Sequence, residues 1–332
     1  MKILLTGAFG NIGSHTLETL LSRNRYAILC SDVRNPRTER EMRRLSRLGS
    51  FETHWADISD PAVPQELVRG TRCIIHLAAI IPPLSEQEPD LVKKVNIEAT
   101  RNLIMAACEQ DPRPKFIFTS SVTVHGKKHS SPPPRRADEE PEPCDNYSRS
   151  KVASENDLKE SELPWTILRV GAALSKNLME GRMKDGFRML FNTPLDQRIE
   201  VVHPRNVATA VSNSVEAETE GKTLYLGGGR DWQLNYRDFT DVVFDAIGLS
   251  PPPDRAFIVP KDNNDYWYTD FMDTEESQKL LKFQNDSFEA YVDELKRAFG
   301  WKRNACRILD PIISRVVLSY SPYYFGNRKK NS

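Results

Sequence analysis

In the stretch DNYSRSK, Tyr147 and Lys151 lie four positions apart, one turn of a helix, and between them can move a proton. A phenol with an ordinary pKa of about 10 is a poor base at neutral pH, so it needs a neighbouring cation to hold its phenolate. A lysine on the same helical face can supply one. Taken alone the spacing is weak, because it arises often by chance and usually marks two neighbours on a solvated face.

A second pattern sits at the chain start. TGAFGNIG sets Gly7, Gly10 and Gly13 between an apolar run and a helical stretch. Glycine lets a backbone turn tightly and approach a pyrophosphate, and a helix start, with Asn11 and Ile12 in its first turn, offers free N–H groups and partial positive charge. Three glycines can be merely a turn. Here a strand precedes them, a helix follows, and Asp32 ends the next strand. An acid there accepts hydrogen bonds from an adenosine ribose and repels the extra phosphate of NADP, so NAD is expected, with Arg34 the counter-signal. In ADISD, Asp57 is placed for an adenine amino group and Ile58 against its ring. The alternative for Asp57 is a helix N-cap before Pro61.

These residues need a scaffold. KILLT (2–6), YAILCSD (26–32), CIIHLAA (73–79) and KFIFTSS (115–121) read as strands, with helical stretches between them such as LVKKVNIEATRNLIMAAC (91–108). The alternation predicts an α/β fold of Rossmann type, a doubly wound parallel sheet covered on both faces, with a smaller C-terminal substrate-binding lobe. After WTILRV (165–170) the alternation weakens. The expected organisation is a nucleotide domain over 1–170, to which 206–230 returns, a substrate lobe mainly over 171–300, and an extension over 301–332. Proline-rich linkers lie at 129–143 and 250–253.

Composition narrows the function. Of 332 residues, 46 are Lys or Arg and 46 are Asp or Glu, a formal net charge of zero, so no global field favours nucleic acid. The five cysteines are scattered, odd in number and without a C-x-x-C pair, which points to a reducing, cytoplasmic setting. The start carries no pattern of a signal peptide, and no run reaches the length of a membrane span. His76 and His203 read as core or wall residues inside apolar strands, no cluster has zinc spacing, and no metal is expected.

The ordered set TGAFGNIG, Asp32, ADI, HLAA, VNIEATRNLI, FIFTSSVTVHG, YSRSK and LRV resembles the extended short-chain dehydrogenase/reductase family, which includes nucleotide-sugar epimerases and dehydratases, over about residues 1–300. The resemblance implies a catalytic trio of Ser121, Tyr147 and Lys151. Ser121 would hold the substrate oxygen, with Ser120 the runner-up, and Lys151 would also bond the nicotinamide ribose. It further implies that Leu77, Ala78 and Ala79 line the cofactor, that Asn96 lies beneath the active site, and that helices near 91–108 and 148–160 pair in a homodimer.

Departures from the family pattern shape the functional reading. Val122 and Thr123 stand where dehydratases carry an acidic pair, so dehydration lacks a catalyst. His125 replaces a usual tyrosine. Arg198 lies one residue from the usual phosphate arginine, Asn206 replaces an aspartate, and DNNDYWYTDFM has no arginine, leaving a diphosphate clamp incomplete. Oxidoreduction of a secondary alcohol or ketone on a small, sugar-like molecule is therefore preferred. Epimerisation through a transient ketone is the alternative, and a non-catalytic NAD-binding regulator is a third reading.

Beyond the family's usual end, Ile308, Leu309, Ile312, Ile313, Val316 and Val317 recur at helical spacing among arginines. Such a stretch within 301–330 can lie on an anionic membrane. Docking on its own domain or across a dimer is the favoured expectation, because aliphatic stripes in soluble enzymes are more often core.

Overall fold

The computed structural model describes residues 1–174 and 189–324. Its centre is a seven-stranded, wholly parallel sheet in the order β3-β2-β1-β4-β5-β6-β9. The strands are β1 (Lys2–Thr6), β2 (Ala27–Asp32), β3 (Glu52–Trp55), β4 (Cys73–His76), β5 (Lys115–Ser121), β6 (Trp165–Val170) and β9 (Lys222–Leu226). β1 and β4 to β6 are almost wholly buried because helices cover both faces, which explains their unbroken apolar runs. The strand order reverses between β1 and β4, and such a switch point opens a crevice at the carboxyl ends of the strands.

The helices of the first half are α1 (Asn11–Arg23), α2 (Pro36–Leu45), α3 (Val63–Val68), α4 (Leu84–Gln87), α5 (Pro89–Val92), α6 (Ala99–Cys108) and α7 (Asn146–Lys159). On one sheet face Leu17 and Leu20 of α1 pack with Val207 and Val211 of α8 (Pro204–Asn213). Each such aliphatic side chain contributes about 1.5–3 kcal/mol on burial. Leu103, Ile104 and Leu158 of α6 and α7 fill the opposite face.

The stretch read as one helix over 91–108 is not uniform. Lys93–Glu98 forms a π-helical turn between α5 and α6. The widened turn lets the Asn96 carbonyl accept a hydrogen bond from Ser154 Oγ at 2.7 Å, tying it to α7. His203 also departs from expectation. β8 (Arg198–Val202) ends before it, because Pro204 opens α8, and His203 Nδ1 accepts the Arg205 N–H at 3.1 Å as the N-cap.

The smaller lobe holds a three-stranded sheet of β7 (Ala172–Ala173), β8 and β10 (Gln233–Asn235). Around it lie α9 (Tyr236–Ile247), α10 (Glu275–Leu281), α11 (Phe288–Phe299) and α12 (Trp301–Ser319). Trp232, Tyr291 and Leu295 knit β8 to α9 and α11.

Candidate active site

The glycine loop is built from close contacts. Gly7 has φ +65°, and a Cβ there would lie 2.8 Å from the Ala78 nitrogen, so the β1 and β4 ends could not approach with any other residue. A Cβ on Gly13 would lie 2.0 Å from the Gly7 carbonyl oxygen. Gly10 differs: its Cβ would meet only that carbonyl, at 3.3 Å, and otherwise faces open space. Gly10 caps α1 without a side-chain hydrogen bond, so the first N–H groups there are open to an anion. Asn11 leans the other way, its amide donating to the Leu174 carbonyl at 3.3 Å. Ile12 packs against the core below the loop.

Asp32 holds the loop from the second strand. Its Oδ2 accepts the Phe9 N–H and its Oδ1 the Val33 N–H, each at 2.8 Å. Burial pushes its carboxyl above the ordinary value, against the pull of those two N–H groups. Each oxygen keeps a second lone pair for a ribose hydroxyl. Arg34, the counter-signal, is paired to Glu39 at 2.7 Å. Leu77, Ala78 and Ala79 follow β4 half-buried along the crevice.

Two positions change their meaning. Asp57 does not cap a helix, since α3 begins after Ala62; its Oδ1 accepts the Ser59 N–H at 2.9 Å and closes a turn. Ile58 packs into the core with Leu4, Leu29 and Leu67 rather than standing free beside a ring site. Asn96 is engaged by protein at both ends of its amide. Its Oδ1 accepts the Ile80 N–H at 2.7 Å, and its Nδ2 donates to the Ile80 carbonyl at 2.9 Å and Ser150 Oγ at 3.1 Å. It therefore joins the loop after β4 to α7, which explains a buried polar residue on an otherwise apolar helix face.

Ser121 closes β5, and Tyr147 and Lys151 project from the first turns of α7. The structure brings the three together: the Ser121 hydroxyl lies close enough to the Tyr147 phenol to act on it, and Lys151 Nζ lies 5.6 Å from the Tyr147 ring centre. Ser121 Oγ also accepts from Thr123 Oγ1 at 3.0 Å. Lys151 Nζ donates to the Thr119 carbonyl at 2.8 Å and sits 4.8 Å over the Phe118 ring. Burial lowers its pKa to about 8, with Glu155 pulling the other way.

The expected lowering of the phenol pKa is not found in the protein groups alone. Desolvation raises Tyr147 above its ordinary value although the ring keeps an exposed edge, and only the neighbouring Ser121 hydroxyl pulls it down. The reason is geometric, because the ammonium is turned to the Thr119 carbonyl.

Sequence reading missed the groups that hold this trio. Asp145 caps α7, accepting the Ser148 N–H at 2.7 Å, while Glu86 accepts the Asn146 and Tyr147 N–H groups at 3.1 and 3.2 Å. Behind Lys151, Glu155 forms a two-point pair with Arg169 of β6, and Arg169 Nη1 reaches His125 Nε2 at 2.9 Å. Desolvation, then the nearby Arg169 charge, lowers His125 to about 4 and keeps it neutral. An arginine inside WTILRV and an acid one turn beyond Lys151 were the signals available. Ser120, on the other side of β5, faces Glu155 and is not part of the trio. His76 is a satisfied core residue, bonded to Thr6 and Thr100 at 2.7 and 2.9 Å.

A cavity of about 260 Å³ in the smaller lobe is lined by Lys127, Asn192, Tyr266, Trp267 and Tyr268 among others, and no member of the trio lines it. Asp145, the cap of α7, lies near enough to the Tyr268 phenol to act on it, which sets this wall close to the start of α7. Lys127 lines the cavity and lies 5.7 Å over the Tyr268 ring, while Arg198 and Arg205 are committed to carboxylates. Arg198 donates to both Asp270 oxygens at 2.6 and 2.8 Å and to the carbonyls of His129 and Ser131. Arg205 pairs with Asp286 and Glu294, and Asn206 accepts the Asn285 and Asp286 N–H groups.

A Rossmann sheet with a glycine loop at its switch point and a Ser-Tyr-Lys trio beside it defines the extended short-chain dehydrogenase/reductase class. Residues 3–227 match the model of the NAD dependent epimerase/dehydratase family, and the chain belongs to that family. It is 33% identical over 129 residues to D-erythronate dehydrogenase of Haemophilus influenzae, a match covering 38% of this chain and 39% of that relative's length. The fold is similar to UDP-glucose 4-epimerase of Thermotoga maritima, with TM-score 0.74 and 20% identity over 90% of this chain and 98% of the other. It is also similar to UDP-glucuronic acid 4-epimerase of Bacillus cereus in complex with NAD, with TM-score 0.71 and 22% identity over 90% and 100%.

Proposed function

We propose that the protein is an NAD-dependent oxidoreductase that transfers hydride at a secondary alcohol or ketone carbon of a small polar substrate. The observation that carries this choice over sugar epimerisation is the commitment of Arg198 to Asp270, with Arg205 likewise held by Asp286 and Glu294. Epimerisation must hold a ketone through a rotation, and a diphosphate anchored on free cations makes that feasible without release. Here those cations already carry counter-charges. A small substrate held at Ser121 and Tyr147 needs no such anchor.

The residues present fit a dinucleotide. Gly7, Gly10 and Gly13, with the N–H groups of Asn11 and Ile12, would hold the pyrophosphate, and Asp32 the adenosine ribose. Asp57 would meet the adenine, while Leu77, Ala78 and Ala79 would line the path to the nicotinamide. Asp32 and the engaged Arg34 favour NAD over NADP. Bound NAD supplies the hydride acceptor and, as the oxidised cation, a positive charge near the phenol.

The proton chemistry belongs to the chain. Ser121 holds the substrate oxygen, and Tyr147 takes its proton when the alcohol is oxidised or returns it when the ketone is reduced. Lys151 stabilises the phenolate electrostatically and holds the nicotinamide ribose. Val122 is buried against Tyr225 and Met272, and Thr123 bonds Ser121, so that strand end offers no acid–base pair for dehydration.

The active form is a homodimer paired through the outer faces of α6 and α7, where Met105 is exposed, and sedimentation should show twice the monomer mass at micromolar concentration. Five free cysteines suit a reducing cytoplasm. Calorimetric titration of UDP into the NAD complex tests the substrate class. No binding up to millimolar UDP supports the reading, whereas a micromolar Kd would mean the arginines leave their acids for a diphosphate.

A further inference from the structure

The docking expected of the last helix holds for only one side of it. Ile313 and Val317 of α12 pack with Phe191, Phe244 and Phe257. At about 100° per residue, the opposite side carries Trp301, Ile308, Ile312 and Val316 in one band. These are 77, 80, 65 and 53% exposed, an uncovered apolar surface far larger than scattered single residues would give. Leu309 adds to its edge.

Charge identifies what fits this band. Lys302, Arg307 and Arg315 are exposed around it, with Lys302 and Arg315 along its two edges. The one acid of the helix, Asp310, lies on the inward side, where it accepts the Ser250 N–H at 3.1 Å and the Ser314 hydroxyl at 2.7 Å. Asp245 of α9 pairs with Arg303 and lies 3.8 Å from Arg307, leaving Lys302 and Arg315 the nearer cations to the band. The sequence beyond, residues 325–332, adds Arg328, Lys329 and Lys330 and no acid. A second copy of the chain is a poor occupant, since two-fold pairing across this face would bring together two bands edged by Lys302 and Arg315 with no carboxylate of α12 on that side to offset them. No described helix is long and apolar enough to cross a membrane.

We propose that α12 is an in-plane membrane contact, with Trp301, Ile308, Ile312 and Val316 entering the acyl boundary of an anionic lipid surface and Lys302 and Arg315 at the headgroups. The contact is peripheral and reversible, and it leaves the catalytic crevice untouched.

Vesicle flotation of the full chain tests this, using pure phosphatidylcholine against phosphatidylcholine containing phosphatidylglycerol. The wild type should float with the anionic vesicles, about tenfold more than with neutral ones, and should release in high salt. The triple variant Ile308→Ser, Ile312→Ser, Val316→Ser removes only outward side chains, so it should keep the wild-type melting temperature and stay at the bottom of the gradient. Wild type that floats with neither vesicle overturns the proposal, as does flotation unchanged in the variant. Sedimentation on both proteins closes the alternative: a self-association lost in the variant, without flotation of the wild type, would assign the face to a second copy instead.

Discussion

Glu155 grips Arg169 through two hydrogen bonds, Nε to Oε1 at 2.9 Å and Nη2 to Oε2 at 2.7 Å, and each residue is 1% exposed. The pair joins the catalytic helix to β6 one turn behind Lys151. Removing Arg169 leaves the buried Glu155 carboxylate with only the half-exposed Lys159, 3.4 Å away, as a counter-ion. Arg169→Met should therefore cost about 3–5 kcal/mol in urea unfolding, and adding Glu155→Leu should recover most of it.

The same pair gives stability a pH dependence. Burial pushes the Glu155 carboxyl up, and Arg169 more than reverses this, leaving it below its ordinary value. A depressed carboxyl contributes stability that is complete above the unfolded value of about 4.3 and is lost as pH falls through the folded one. Denaturation midpoints measured from pH 6 down to 3 should fall in the wild type, and less steeply in the Arg169→Met, Glu155→Leu double variant.

Lys151 carries the opposite sign. Its folded pKa of about 8 lies below the unfolded lysine value, so above pH 8 the unfolded chain binds the extra proton and the folded state gains stability with rising pH. The stability difference between wild type and Lys151→Met should therefore increase from pH 8 to about 10, the unfolded lysine value lying near 10.4. The buried thiols of Cys30 and Cys73, raised by desolvation, are common to both proteins and cancel.

Tyr147→Phe should lower kcat by at least about 10²-fold while leaving NAD affinity as in the wild type, because the phenol acts on the substrate proton. Lys151→Ala should impair both. Fluorescence titration of NAD beside steady-state rates separates the two effects.

Asp32→Asn removes the charge and keeps an acceptor for only one of the Phe9 and Val33 N–H groups, which bond different carboxylate oxygens. It should reduce the preference for NAD over NADP by roughly tenfold, about 1.4 kcal/mol, read as the ratio of the two dissociation constants.

Much of this arrangement was legible along the chain because its signals are local. Apolar runs that stop at a glycine, an aspartate or a serine fixed the ends of β1, β2 and β5, and with them the places of Gly7, Asp32 and Ser121. Tyr147 and Lys151 share a helical face by periodicity alone. What escaped depends on long-range contact. Arg198 meets Asp270 across 72 positions, and Glu86 reaches the N-terminus of α7 across about 60, so no window of sequence couples them. The π-helical turn at 93–98 escaped for a related reason, since its widened carbonyl is satisfied by Ser154 of another helix. Likewise the apolar residues of α12 show the same spacing whether they face Phe191 or solvent.

The most direct test of the central claim follows NADH absorbance while the purified enzyme and excess NAD turn over small polyols and hydroxy acids. The account expects one NADH for each substrate molecule oxidised, abolished by Tyr147→Phe. Turnover of a UDP-sugar to its epimer, with no NADH released at any stage, would contradict it.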